Sequence, residues 1–286
     1  MAKTLPDQIA DLFIALIFTG ELKPGDKLPP ERQLAELLSV DRTSLRMALR
    51  TLGRMNAVHS VQGSGIRVCD MNRDMGLDFM DNLYRIPELE LGGDFLLSGL
   101  ELFNRAIPTA IKLALEKRLA AARSGETTIE NDNRLLTMIQ DMYQALEQGE
   151  DLKTLAKMDV AYIDTLMAAT GNQVLQASAN SSRRIRLLLT EKLFELITVK
   201  KHLSFQVGML MKARKMEENI DVLIAEYLAY IEQLTQPLYE HLRSISANPR
   251  LSSSPLKNDR NIRSWQQVLA GPDAPPERVP LVKPIR

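Results

Sequence analysis

The feature that most constrains this chain lies between Glu31 and Val68, where two short amphipathic helices are separated only by Ser39-Val40-Asp41 and followed at once by two glycine-linked strands. The first, Glu31 to Leu38, starts just behind Pro30, where a missing N–H costs nothing, and its inward face is predicted to be Leu34, Leu37 and Leu38. Asp41 is a natural N-cap for the second, from about Arg42 to Met55, whose buried stripe is Leu45, Ala48, Leu49 and Leu52. Ala57 to Val61 has strand character, Gln62-Gly63-Ser64-Gly65 can turn, and Ile66 to Val68 can return. Upstream, Ile9, Leu12, Phe13, Leu16 and Ile17 recur at helical spacing within Leu5 to Phe18, before Gly20 and the Pro24-Gly25 turn. Three helices and a hairpin in this order are the parts of a winged helix-turn-helix.

The rest of the chain reads differently. From Met71 to about Ser246 amphipathic helical patterns follow one another, with breaks placed near Leu91-Gly92-Gly93, Arg123-Ser124-Gly125, Gly149-Glu150, Gly171-Asn172 and Lys201. No stretch alternates as a strand would, and about six or seven helices fit the length. Only 5% aromatics against 13 Met points to aliphatic helical cores. The predicted fold is therefore mainly α: a winged helix-turn-helix over 1–70, an all-α helical bundle over 71–246, and a Pro/Ser-rich basic tail over 247–286 with a short helical pattern around Trp265.

The formal charge is zero, yet it is unevenly spread. Residues 1–70 hold nine Lys and Arg against eight Asp and Glu, 71–246 hold 20 against 25, and the tail holds seven against three, so the sign changes near each proposed boundary. No apolar run is long enough to span a bilayer and no leader pattern opens the chain, which predicts a cytoplasmic protein without a membrane partner. A lone cysteine, Cys69, is read as a small residue in or near a strand. With no phosphate loop, no G-x-S-x-G elbow, no H-E-x-x-H and no paired carboxylates, neither an enzyme nor a cofactor is expected.

A helix that reads DNA needs one face packed on its own domain and another that reaches phosphates and base edges. After Asp41, Arg42, Arg46, Arg50 and Arg54 recur every four residues outside the apolar stripe, and Thr43 and Ser44 occupy the first turn, where small hydroxyls approach phosphate oxygens. Gln62, Gly63 and Ser64 are the candidate contacts at the hairpin tip. Double-stranded operator DNA is thus the expected partner. One such domain offers few base contacts, so a homodimer reading two half-sites is expected as well.

The segment KPGDKLPPERQLAELLSVDRTSLRMALRTLGRMNAVHSVQGSGIRV resembles the GntR family of bacterial transcription regulators, in particular its FadR branch. The resemblance implies DNA contacts from Arg32, Arg42, Thr43, Ser44, Arg46, Gln62 and Gly63, a palindromic operator, and a repressor released by an effector. Asp41 stands where Ser or Thr is usual, and Asn56-Ala57 replaces the usual glycine.

A weaker resemblance covers 72–246, through MDVAYIDTLMAATGNQVLQASANSSRRIRLLLTEKLF. Many members of the branch hold a divalent metal there with an aspartate and three histidines. Of those positions only Asp159 and His241 match, since Ile163 and Asn219 stand at the others, so no metal is expected. This likens the chain to the metal-free, fatty-acid-responsive kind, which implies a long-chain acyl-CoA effector. A Leu- and Met-rich bundle supplies a tunnel for the acyl tail, and Arg183, Arg184 and Arg186 form a cluster suited to its phosphates. Tyr162, Tyr227, Tyr230 and Tyr239 are further candidate pocket groups, alongside Asp159 and His241. A small carboxylate effector, or an architectural dimer with no effector, remain the alternatives.

Overall fold

A computed structural model describes residues 3–124, 129–215 and 219–256, with backbone only at 129–132. The tail beyond 256, with Trp265, lies outside them. Two compact units are formed. One holds the chain up to Glu90 together with the described residues from Arg250; the other is Leu91–Pro249.

In the N-terminal unit, α1 (Leu5–Phe18), α2 (Glu31–Leu38) and α3 (Arg42–Arg54) precede the antiparallel hairpin β1 (Val58–Val61) and β2 (Gly65–Val68). Thr4 caps α1 in a capping box with Asp7, and every residue from Ile9 to Phe18 is buried, so α1 is the centre of this unit rather than a surface helix. α3 packs on α1 and α2 through Leu45, Ala48, Leu49 and Leu52. Against expectation, Leu37 is 38% exposed and Ala35 is buried in its place, because the α2 stripe runs through Leu34, Ala35 and Leu38. α2 closes on Ser39 at φ 53, and α3 is followed by Asn56 at φ 55. Asn tolerates this left-handed region better than most residues, which accounts for Asn56 replacing a glycine.

The segment read as a plain turn does more than turn. Gly25 N–H donates to Val68 O at 2.9 Å, Val68 N–H to Asp26 O at 3.0 Å and Leu28 N–H to Ile66 O at 2.9 Å, so residues 25–28 line the outer edge of β2. Two short helices, α4 (Met71–Asp74) and α5 (Leu77–Leu83), complete the unit, with Phe79 and Leu83 buried and α5 packed on α1. β3 (Leu89–Glu90) pairs antiparallel with β4 (Arg250–Leu251), a contact between distant parts of the chain reinforced by Arg250 donating to Glu90 at 2.6 and 2.9 Å.

The second unit contains, among the described residues, seven helices: α6 (Gly93–Arg123), α7 (Ile129–Glu147), α8 (Leu152–Ala169), α9 (Gln173–Ser181), α10 (Arg183–Leu196), α11 (Val199–Lys215) and α12 (Ile220–Ser244). Gly149 and Gly171 mark breaks at positive φ, as their sequence context predicts. The break expected at Lys201 falls instead at Ile197-Thr198, and one between α9 and α10 at Ser182 carries no glycine to announce it. α6 and α12 run through Pro108 and Pro237, each at a cost of about 3 kcal/mol in an isolated helix, because both long helices are held by mutual packing. Gly92 and Gly93 allow that pair to close. A Cβ on Gly92 would meet Ala247 O at 2.5 Å, and one on Gly93 would overlap Leu242 O. Among the described residues no helix is long and apolar enough to cross a membrane.

Candidate functional site

The outer face of α3 carries Arg42, Thr43, Arg46, Arg50 and Arg54 exposed, opposite its buried leucines, with Ser44 half-buried in the first turn. The helix start is fixed by Asp41, whose Oδ1 accepts from the Ser44 N–H at 2.8 Å. These Ser44 bonds hold the Asp41 carboxyl below its ordinary range. A depressed carboxyl stabilises the fold above its unfolded pKa of 3.8, and that contribution fades as the pH falls through the lower folded value. Asp41→Asn should therefore lower Tm at neutral pH, and the gap to the parent should close under acid titration followed by circular dichroism.

Arg46 Nε donates to Glu31 Oε2 at 2.6 Å, tying the middle of α3 to the first turn of α2. Arg32 on α2 is exposed, 4.0 Å from Glu36. At the hairpin, Ser64 N–H donates to Val61 O at 2.9 Å across a turn in which Gly63 takes φ 74, leaving Gln62 and Gly63 exposed at the tip. Arg67, not singled out from sequence, braces this wing, its Nη1 donating to Gly25 O at 2.8 Å and its Nη2 to Ser64 Oγ at 3.2 Å. Cys69 follows β2 directly and is buried, with its Sγ 3.2 Å from His59 Nδ1.

In the helical unit a polar cluster is buried among aliphatic side chains. Asp159 on α8 accepts at Oδ1 from Gln206 Nε2 at 2.8 Å. On α11, His202 Nε2 lies 3.3 Å from the same oxygen, and its Nδ1 is 3.0 Å from the Tyr230 hydroxyl on α12. Burial, and secondarily the Asp159 charge, pushes Tyr230 up to about 12 and raises Tyr162 and Tyr227 as well, so all three phenols stay protonated. Asp159, His202 and Gln206 line a chamber of about 80 Å³ that also takes in Arg186 from α10. A larger cavity of about 300 Å³ shares Gln206 and Tyr227 with it and is lined by Ile111, Leu115 and Tyr162, with Lys117 and Arg118.

The residues expected from sequence to surround one effector are thus dispersed. Asp159 and Arg186 meet in the smaller chamber and Tyr162 faces the larger cavity. Arg183 is exposed, in a third groove, bound to Asp164 at 2.6 Å, and Arg184 is exposed. Tyr239 stacks under Arg243 at 5.9 Å. Asp159 and His241 do not come together: His202 stands beside Asp159, level with Tyr230, and His241 is eleven residues further along α12, about 16 Å at 1.5 Å per residue. Asn219, at another of the ligand positions, instead caps α12 by accepting from Asp221 N–H at 2.8 Å. His202 and Gln206 escape a reading of the sequence because they stand 43 and 47 positions from Asp159. Among the described residues no cluster of three or more His, Cys, Asp or Glu is placed to hold a metal.

Residues 5–68 match the family model for bacterial regulatory proteins of the gntR family, the segment that holds α1 to β2. The HTH-type transcriptional regulator Mce2R of Mycobacterium tuberculosis is 30% identical over 182 residues, which cover 63% of this chain and 70% of that one. This chain belongs to the GntR family. It is a DNA-binding transcription regulator built on a helix-turn-helix. Another M. tuberculosis relative, the HTH-type transcriptional regulator Rv0494, is 34% identical over 169 residues, covering 59% of this GntR regulator and 63% of its own length. The fatty acid metabolism regulator protein of Pasteurella multocida is 26% identical over 150 residues, covering 51% and 62%.

Proposed function

We propose that this GntR regulator binds a palindromic operator as a homodimer and represses transcription until a small-molecule effector, held inside Leu91–Pro249, releases it. The observation that carries the effector reading is the chamber around Asp159, His202, Gln206 and Arg186. A helical unit serving only to dimerise gains nothing from burying such groups, since each costs free energy unless fully partnered. On DNA, Arg42, Thr43, Ser44 and Arg46 enter the major groove, Arg32 holds the backbone, and Gln62 with Gly63 carries the wing onto the duplex. Dimerisation and effector binding both belong to the helical unit, and the effector acts by favouring one arrangement of the two DNA-binding units over the other.

A second reading places the protein in the FadR branch with a long-chain acyl-CoA as effector. It is favoured by the 300 Å³ apolar cavity with Lys117 and Arg118, and by the Pasteurella relative. Selection of duplexes from a random pool should recover an inverted repeat; enrichment of a single half-site would sink the dimer. Gel shifts on the selected duplex with palmitoyl- and oleoyl-CoA then test the second reading, which predicts release at micromolar concentrations, and an unchanged shift removes it.

A further inference from the structure

We propose that the smaller chamber takes a hydroxylated monocarboxylate of a few carbons, its carboxylate on Arg186 and its hydroxyl donated to Gln206. The proposal rests on the reading that Leu91–Pro249 holds the effector, and names its chemistry.

Arg186 is 4% exposed, and its Nη2 is used twice, donating to Asp164 Oδ1 at 2.5 Å and to Ala179 O at 2.7 Å. Its Nε and Nη1 are buried and have no acceptor. A guanidinium carries five N–H donors and cannot shed its charge by deprotonation, so these donors are satisfied only by an oxygen brought from outside. An anionic oxygen serves best, since hydrogen bonds between charged partners are the strong ones.

Gln206 presents the complementary need. Its Nε2 is fixed on the Asp159 carboxylate, which aims the amide oxygen elsewhere, and that Oε1 is buried without a donor. Arg186 and Gln206 line the same chamber, with Asn104, Thr190, Tyr227 and Thr235 among its neutral polar groups. A ligand that satisfies both carries an anionic acceptor and one hydrogen-bond donor. A hydroxyl matches the single open acceptor, whereas an ammonium brings three donors.

Size and charge narrow the class further. A chamber of about 80 Å³ holds roughly six water-sized groups, counting about 10–15 Å³ for each, which excludes an acyl chain from it. Asp159 lines it as well, so a second carboxylate on the ligand meets like charge. Glycolate, lactate and glycerate fit; malate, alanine and fatty acids do not.

The test uses the purified full chain, with thermal unfolding, isothermal titration and release of the selected duplex as readouts. Glycolate, both lactate enantiomers and glycerate are compared with acetate, propionate, malate and alanine. A hydroxy acid should raise Tm, bind at least about tenfold tighter than its deoxy counterpart, and release DNA. Arg186→Lys should weaken that binding by about tenfold or more, and Gln206→Met should abolish the preference for lactate over propionate, at a lower unliganded Tm because the buried Asp159 carboxylate loses its amide donor. Because Arg186 also ties Asp164 to Ala179, Gln206→Met carries the test alone if Arg186→Lys does not fold. Equal binding of lactate and propionate, tighter binding of malate or alanine, or an unchanged preference in Gln206→Met overturns the proposal. Release by acyl-CoA with no response to any small acid overturns it and leaves the effector reading standing. Indifference of both stability and DNA binding to all these compounds overturns both.

Discussion

Replacing Arg42 and Arg46 together by alanine should lower affinity for the selected operator by about 100-fold or more, taking each good base contact as worth about 1–3 kcal/mol. Both side chains are exposed on α3 and contribute little to the packing of Leu45, Ala48, Leu49 and Leu52 beneath. The bond from Arg46 to Glu31 joins two partly exposed groups and is worth at most about 1 kcal/mol. Alanine favours helix, so Tm should move by only a few degrees while binding collapses. Filter binding across a salt series adds a second reading: the slope of log K against log salt should become shallower by about one for each phosphate that the variant no longer neutralises. Retention of full affinity by the double variant would remove α3 from the interface.

The largest stability effect is expected at the opposite face of the same unit. Phe13 is fully buried at the middle of α1, among ten consecutive buried residues. Phe13→Ala removes a side chain that neighbours cannot replace, at a cost of about 3–5 kcal/mol. That is a large share of the roughly 5–15 kcal/mol that holds a typical domain together. DNA binding should disappear with the near-ultraviolet signal of the N-terminal unit on urea titration, and Leu91–Pro249 should keep its helical content. A midpoint shift of less than about 1 kcal/mol would show that α1 is not the core of this unit.

The parts of this protein that are legible in its sequence are those written locally. Periodic leucines, Asp41 ahead of Arg42 and the glycines of the wing each act within a few residues, and α1, α2, α3 and the hairpin follow from them. What the sequence hides depends on distant pairing. Residues 25–28 become an edge only because β2 comes back beside them, and β4 has no strand pattern until Leu89 and Glu90 present a partner. The chamber is the extreme case. Asp159 stands out within its segment, but His202, Gln206 and Arg186 reach it from other helices, and nothing in their spacing distinguishes them from surface residues. Arg186 resembles its exposed neighbours Arg183 and Arg184 in sequence; only its position further round α10 buries it.

The close backbone approach of Gly92 and Gly93 to Leu242 and Ala247 also bears on how such regulators are remodelled. A segment whose beginning and end already touch behaves as a cassette. Cut beside Glu90 and Arg250, it should be exchangeable for another helical block without stretching either junction.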